Sequence, residues 1–255
     1  MPDWTWDTED FAALWYNEAH DRFPRPLKYL SRFTTENDFD RHRAVVRARY
    51  SDDELEVIGL ALHTLSISEA RIEILGGIRE HKTDDLVCVY RIVGARNRHY
   101  AVTLRQLCRG SENGPVHVRL IRPEALPAAL AHAIPPRAPG IRPAATFHPD
   151  DLEPAGTSLF EDNAHNSPRE QYRRLLRRPA DGGGSAGLRL GPLYTRPDAI
   201  RTIQWYDITD DGRYTETRGR HITVRPAGRA DLTARFTTWL ADADRQLREP
   251  EPDIW

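Results

Sequence analysis

Apolar residues first recur at helical spacing: Phe11, Leu14 and Trp15 stand at i, i+3 and i+4, on one face of a helix predicted over residues 8–20. Asp7 is placed to cap its first turn, and Asp10 lies where the helix dipole favours negative charge. Pro24 and Pro26 break the pattern and set up an extended piece over 27–30. Further helices are predicted over 36–49 and 52–65, the second marked by Ser51 with Glu54 three residues on and by Leu55, Ile58, Leu62 and Leu65. The period then changes to two. Ile72 and Ile74 alternate with Arg71 and Glu73, and strands follow over 86–93, 100–104 and 116–121. Pro123 starts a helix carrying Leu126, Leu130 and Ile134, which the proline-rich stretch 135–143 ends.

The second half repeats this plan. Val116, Val118, Leu126, Leu130 and Ile134 map at one constant offset onto Ile222, Val224, Leu232, Phe236 and Leu240, a strand and then an amphipathic helix in one register. Upstream, Val89, Arg91, Val93 and Tyr100 map at a second offset onto Ile203, Trp205, Asp207 and Tyr214, so that both halves carry a hairpin ending in Tyr. A longer connection over 105–115 in the first half absorbs the difference, as a surface loop tolerates insertion. Asp210, Asp211 and Gly212 mark the turn of the second hairpin, and strands joined so tightly are antiparallel. The fold class expected is mixed α and β (α+β): a quasi-twofold, duplicated fold around a central antiparallel sheet. It forms one domain over 1–255, with halves 1–138 and 139–255.

Composition adds limits. With 255 residues, 39 % of them hydrophobic, the chain can bury a sizeable core. A net charge of −2 provides no overall field to draw in nucleic acid or an anionic membrane. A helix over 167–178 ends in Arg173, Arg174, Arg177 and Arg178. This reads as a solvated face complementing the helix carboxyl end, since no aromatic stacking platform accompanies it. All but two of the 36 basic residues are arginine, a bias of GC-rich coding rather than of chemistry. No apolar run of about 18 residues occurs, and the first residues carry acids where a secretory signal needs bases, so a cytoplasmic protein without membrane insertion is expected.

Motifs for chemistry are sparse. Cys88 and Cys108 have no His or Cys at ligand spacing and read as structural thiols. Gly182, Gly183, Gly184 and Ser185 lack the Lys of a phosphate cradle, and Gly76 and Gly77 read as a strand-end turn. His148, Asp150 and Asp151 form the densest group of potential metal ligands, but His-Pro-Asp-Asp also reads as a turn capping a short helix, the favoured reading. Asp207, His221 and Glu216 are an acid–base trio that strand alternation can bring together, the basis of an alternative hydrolase reading; polar residues on a sheet surface are the favoured explanation. No catalytic, cofactor or metal site is expected. Trp205, Tyr206, Asp207, Arg213 and Tyr214 are distinctive instead, because Trp, Tyr and Arg carry much of the energy of protein interfaces.

The run Trp205 to Asp207, then Asp211, Gly212, Arg213, Tyr214, His221, Ile222, Thr223, Val224, Pro226 and Ala227 before a terminal helix resembles the carboxy-terminal pattern of EspG proteins. The glycine run before it, Leu14-Trp15, Pro24, Leu27 and the phrase His148-Pro149-Asp150-Asp151-Leu152 follow the same family order, while Trp4, Trp6 and the scarcity of Lys depart from it. The resemblance implies a central antiparallel sheet with helical bundles at its two ends. It also implies a chaperone of type VII (ESX) secretion that holds PE-PPE heterodimers soluble by binding the PPE tip. A regulatory or structural protein that kept the fold without the client is a further alternative. Carried over here, the client-binding parts are a loop over 76–85, containing Arg79 and His81, and the strand containing Gln204 and Tyr206. With Arg213 and Tyr214 from the hairpin, these are the candidate partner-binding residues. A weak homodimer is also expected.

Overall fold

The computed structural model describes residues 2–17, 20–80, 86–153 and 167–248. Ten strands form one sheet: β1 (Asp3–Trp6), β2 (Ala70–Glu80), β3 (Leu86–Arg96), β4 (Ala101–Arg109), β5 (Glu112–Ile121), β6 (Ala145–Phe147), β7 (Ala180–Leu190), β8 (Arg201–Ile208), β9 (Gly212–Arg218) and β10 (Ile222–Pro226). Among the described residues six α-helices accompany them: α1 (Thr8–Trp15), α2 (Glu36–Arg47), α3 (Asp52–Ser66), α4 (Leu126–Ala133), α5 (Pro168–Leu176) and α6 (Arg229–Arg248). The strand order is β1-β5-β4-β3-β2-β7-β8-β9-β10-β6, with antiparallel neighbours throughout. Among the described residues no helix is long and apolar enough to cross a membrane.

Local chemistry explains where the helices begin and end. Ser51 accepts from the Glu54 N–H at 3.3 Å while the Glu54 carboxylate accepts from the Ser51 N–H at 2.8 Å, the reciprocal cap anticipated for α3. In α1 the Asp7 side chain makes no cap bond, contrary to expectation, and Asp10 accepts from Arg49 at 2.5 Å instead. That helix also stops at Trp15, short of residue 20. Tyr16 turns extended, and the Trp15 indole donates to the Arg22 carbonyl at 2.8 Å, folding the chain back on itself.

Alternation decides what each face of the sheet buries. Ile72, Ile74, Tyr90, Ile92, Ala186, Leu188, Ile203 and Trp205 point to one side, where Leu126 and Leu130 of α4 and Leu232, Phe236 and Leu240 of α6 cover them. Each buried leucine, isoleucine or phenylalanine among them stabilises the fold by about 1.5–3 kcal/mol. On the other side α1 and α3 cover Val93, Ala95, Val102, Leu104, Val116 and Val118, towards the β1 edge. Tyr172 of α5 packs with Phe147, Ile208, Tyr214 and Val224 towards the β6 edge.

The offset relating strand β5 and helix α4 to β10 and α6 pairs buried residues with buried residues. The offset drawn for the hairpins does not. Val93 faces α1 and α3, whereas Ile203 and Trp205, matched to Val89 and Arg91, face α6. An offset larger by one residue sets Tyr90 on Trp205, each opposite a glycine, Gly76 and Gly184. A slip of one residue exchanges the two faces of a strand. The stretch 105–115 is not a loop either. β4 and β5 run on to a tight turn at Gly110, where φ is 57°.

The proline-rich linker is fastened to β9. The Gly140 N–H donates to the Arg213 carbonyl, the Ile141 N–H to the Asp211 carboxylate and the Arg142 N–H to the Tyr214 hydroxyl. A Cβ on Gly140 would lie 2.1 Å from the Tyr214 ring, so the linker approaches this closely only as glycine. Arg178 bonds Asp211 and lies over the Tyr214 ring, so it is not part of a solvated face. Burial works against the charge of Asp211. The Ile141 N–H, the Arg178 guanidinium and the Tyr214 hydroxyl outweigh it and bring its pKa from 3.8 to about 2. A pKa lowered on folding adds stability that is complete above the unfolded value and lost as pH falls through the folded one. Asp211→Ala is therefore expected to lower the thermal midpoint above pH 3.8, with the gap to the wild type closing as pH falls towards about 2. A gap constant across that range by circular dichroism would contradict this.

Candidate partner-binding face

The face opposite α4 and α6 is covered at its two ends and open in the middle. There β2 presents Leu75, Gly77 and Arg79, with Val87 of β3 beside them and Gly183, Ser185 of β7 and Gln204, Tyr206 of β8 across the pair. Leu75 is 44 % and Val87 48 % exposed, and Arg79, Ser185 and Gln204 are exposed as well. Apolar side chains standing in water at the centre of a sheet mark a surface that another molecule can cover.

Glycine shapes both sides of this stripe. On the covered side a Cβ on Gly76 would sit 2.1 Å from the Tyr90 hydroxyl, and one on Gly184 would sit 2.5 Å from the Trp205 ring. The Tyr90 and Trp205 rings reach under Gly76 of β2 and Gly184 of β7 because those positions lack side chains. The Tyr90 hydroxyl donates to the Gly183 carbonyl and accepts from the Trp205 indole, both at 3.1 Å. On the open side Gly77 and Gly183 leave backbone bare, so a partner's chain can approach it closely. Gly76 and Gly77 are thus strand residues and not the strand-end turn expected, and the three glycines from Gly182 likewise lie inside β7.

The anticipated partner-binding residues divide. Arg79, Gln204 and Tyr206 lie on the stripe, Arg79 in a strand rather than a loop because β2 runs on to Glu80. His81 lies outside the described residues. Tyr206 is half-buried and donates to the Glu216 carboxylate at 3.2 Å, where burial first, and the charge of Glu216 next, push its hydroxyl pKa well above the ordinary value. Arg213 and Tyr214, expected at an interface, are each 2 % exposed. Arg213 grips Asp207 through two bonds of 2.6 and 2.9 Å and donates to the Pro135 carbonyl, while Tyr214 holds the linker. Leu75, Val87 and Ser185 were missed. Period-two alternation carried through the glycines from Ile74 to Ile78 was the signal that could have found Leu75.

The polar trio is not assembled. Asp207 pairs with Arg213 on the α4–α6 side, and Glu216 bonds Tyr172, Tyr206 and Arg218 on the other. His221 is exposed, beside His148. His148 accepts from the Asp150 N–H and caps a single 3-10 turn at Pro149–Leu152, the turn reading favoured from sequence. Among the described residues no three His, Cys, Asp or Glu are grouped to hold a metal ion.

Among the described residues, one face of the sheet is covered by α4 and α6 and the other is open along its middle strands. The family model of the EspG family matches residues 7–237, and the chain belongs to that family, which consists of ESX secretion-associated chaperones. No curated protein matches the chain.

Proposed function

We propose that this protein is a cytosolic ESX chaperone that binds the PPE subunit of a PE-PPE heterodimer at its helical tip. The open stripe of Leu75, Gly77, Arg79, Val87, Ser185, Gln204 and Tyr206 carries this reading, because it offers apolar contact, bare backbone and polar groups on one rigid surface. A helical tip with exposed apolar side chains associates non-specifically until it is covered. Covering it with a sheet face needs no chemistry, and affinity kept moderate allows release before export. The two halves, 1–138 and 139–255, derive from one duplicated unit; the strand order, which reads outward alike on both sides of the β2–β7 pair, supports this.

Co-expression with PE-PPE pairs from the same genome tests the function. A soluble three-chain complex on size exclusion is expected with at least one pair, together with loss of pair solubility when the chaperone is omitted. Full solubility of every pair without it would contradict the proposal.

A further inference from the structure

At one end of the stripe the face sinks into a cleft of about 510 Å³ between the N-terminal segment and the 191–198 connection. Its floor is charged. The Glu73 carboxylate accepts from the Nε of Arg71 and the Nε of Arg189, each at 3.0 Å, and Arg71 is only 1 % exposed. Two guanidinium groups on one carboxylate leave a positive charge in excess, least screened at the buried Arg71. Arg71 is fixed there by the carbonyls of Gly191 and Pro192, at 2.8 and 3.1 Å.

The rim adds to this excess. Arg22, Arg25 and Arg196 are exposed at the mouth, and Asp21 and Asp198 are the only other carboxylates in the lining among the described residues. Five arginines thus face three carboxylates. The walls are apolar and aromatic, with Trp15, Phe23 and a Tyr194 that is 74 % exposed. Guanidinium groups beside rings suit a carboxylate that stands next to an apolar or aromatic group, since arginine pairs with the first and the rings pack on the second.

We propose that this cleft takes an acidic segment of the polypeptide bound on the stripe, an inference that rests on the function proposed above. Continuity favours a polypeptide. Glu73, Leu75 and Gly77 follow one another on the same face of β2, so cleft floor and stripe are about 7 Å apart. A chain lying on Leu75 reaches the arginines without a detour. The cleft thereby sets orientation and discriminates between clients by charge, as complementary charges at an interface do.

The test is a calorimetric titration of the PE-PPE pair into wild type, Arg25→Glu/Arg196→Glu and Arg25→Lys/Arg196→Lys. Both positions are exposed, so the fold tolerates the changes, and circular dichroism checks this. Charge reversal is expected to weaken binding at least about tenfold in 0.1 M salt, where charges act over about 10 Å, and far less in 1 M salt, where they act over about 3 Å. The Lys variant should stay within about threefold of wild type, because it keeps the charge. Equal affinity of the Glu variant and wild type in 0.1 M salt would overturn the inference and leave the chaperone function standing. Absence of any binding by wild type would instead overturn that function, and the inference with it.

Discussion

Arg213→Met is expected to destabilise the protein by about 3–5 kcal/mol, read as a lower urea midpoint at unchanged slope. Asp207 is 3 % exposed, and both of its oxygens accept from Arg213. Truncating the arginine leaves a carboxylate buried without its cation, and the Pro135 carbonyl loses a donor as well. Arg213→Met/Asp207→Leu should recover much of the loss, since a well-packed apolar pair often matches a buried ion pair. A double variant as unstable as the single one would show that the pair does not act as a unit. The same pair explains why Arg213, anticipated at an interface, lies inside, while Tyr214 is covered by the linker it holds. Composition marks Arg and Tyr as interface formers, but it does not show that Asp207 stands directly across the hairpin from Arg213.

Much of the fold was legible because its signals are local. The Ser51–Glu54 cap, the alternation of Ile72 and Ile74, and the Asp210–Gly212 turn depend on neighbours in sequence, and each formed as expected. Where long-range contacts decide, the sequence was silent. Helix α1 ends at Trp15 because an indole reaches a carbonyl seven residues on, which no periodicity records. The glycines of β2 looked like a turn, and those of β7 gave no strand signal, because a residue without a side chain gives no alternation of its own. Only the Tyr90 and Trp205 rings packed beneath them show why strand continues through them. The hairpin offset failed by one residue for the same reason, since Gly76 opposite Tyr90 and Gly184 opposite Trp205 carry the register.

The candidate site was legible in part. Gln204 and Tyr206 were reached through the family resemblance and Arg79 with them, though in a loop rather than a strand. What makes the site is a place where, among the described residues, no helix covers the sheet, and that follows from how α1–α3 and α5 divide one face between them. Val87 carries nothing in its local sequence to separate it from its buried neighbour Cys88, and Leu75 is told from Ile74 only by carrying the alternation on through Gly76 and Gly77.

If the stripe is the docking surface, a charge at its centre removes binding without unfolding the protein. Leu75 already stands 44 % in water, so Leu75→Asp leaves no buried carboxylate in the free protein and should change its urea midpoint little. In the complex the same carboxylate is driven against apolar client surface. The expected cost is at least about 2 kcal/mol, or about thirtyfold in Kd. The decisive measurement is a titration of the PE-PPE pair into wild type and Leu75→Asp side by side. The account predicts a complex with wild type and binding weakened about thirtyfold or more in a folded variant; equal affinity for the two would contradict it.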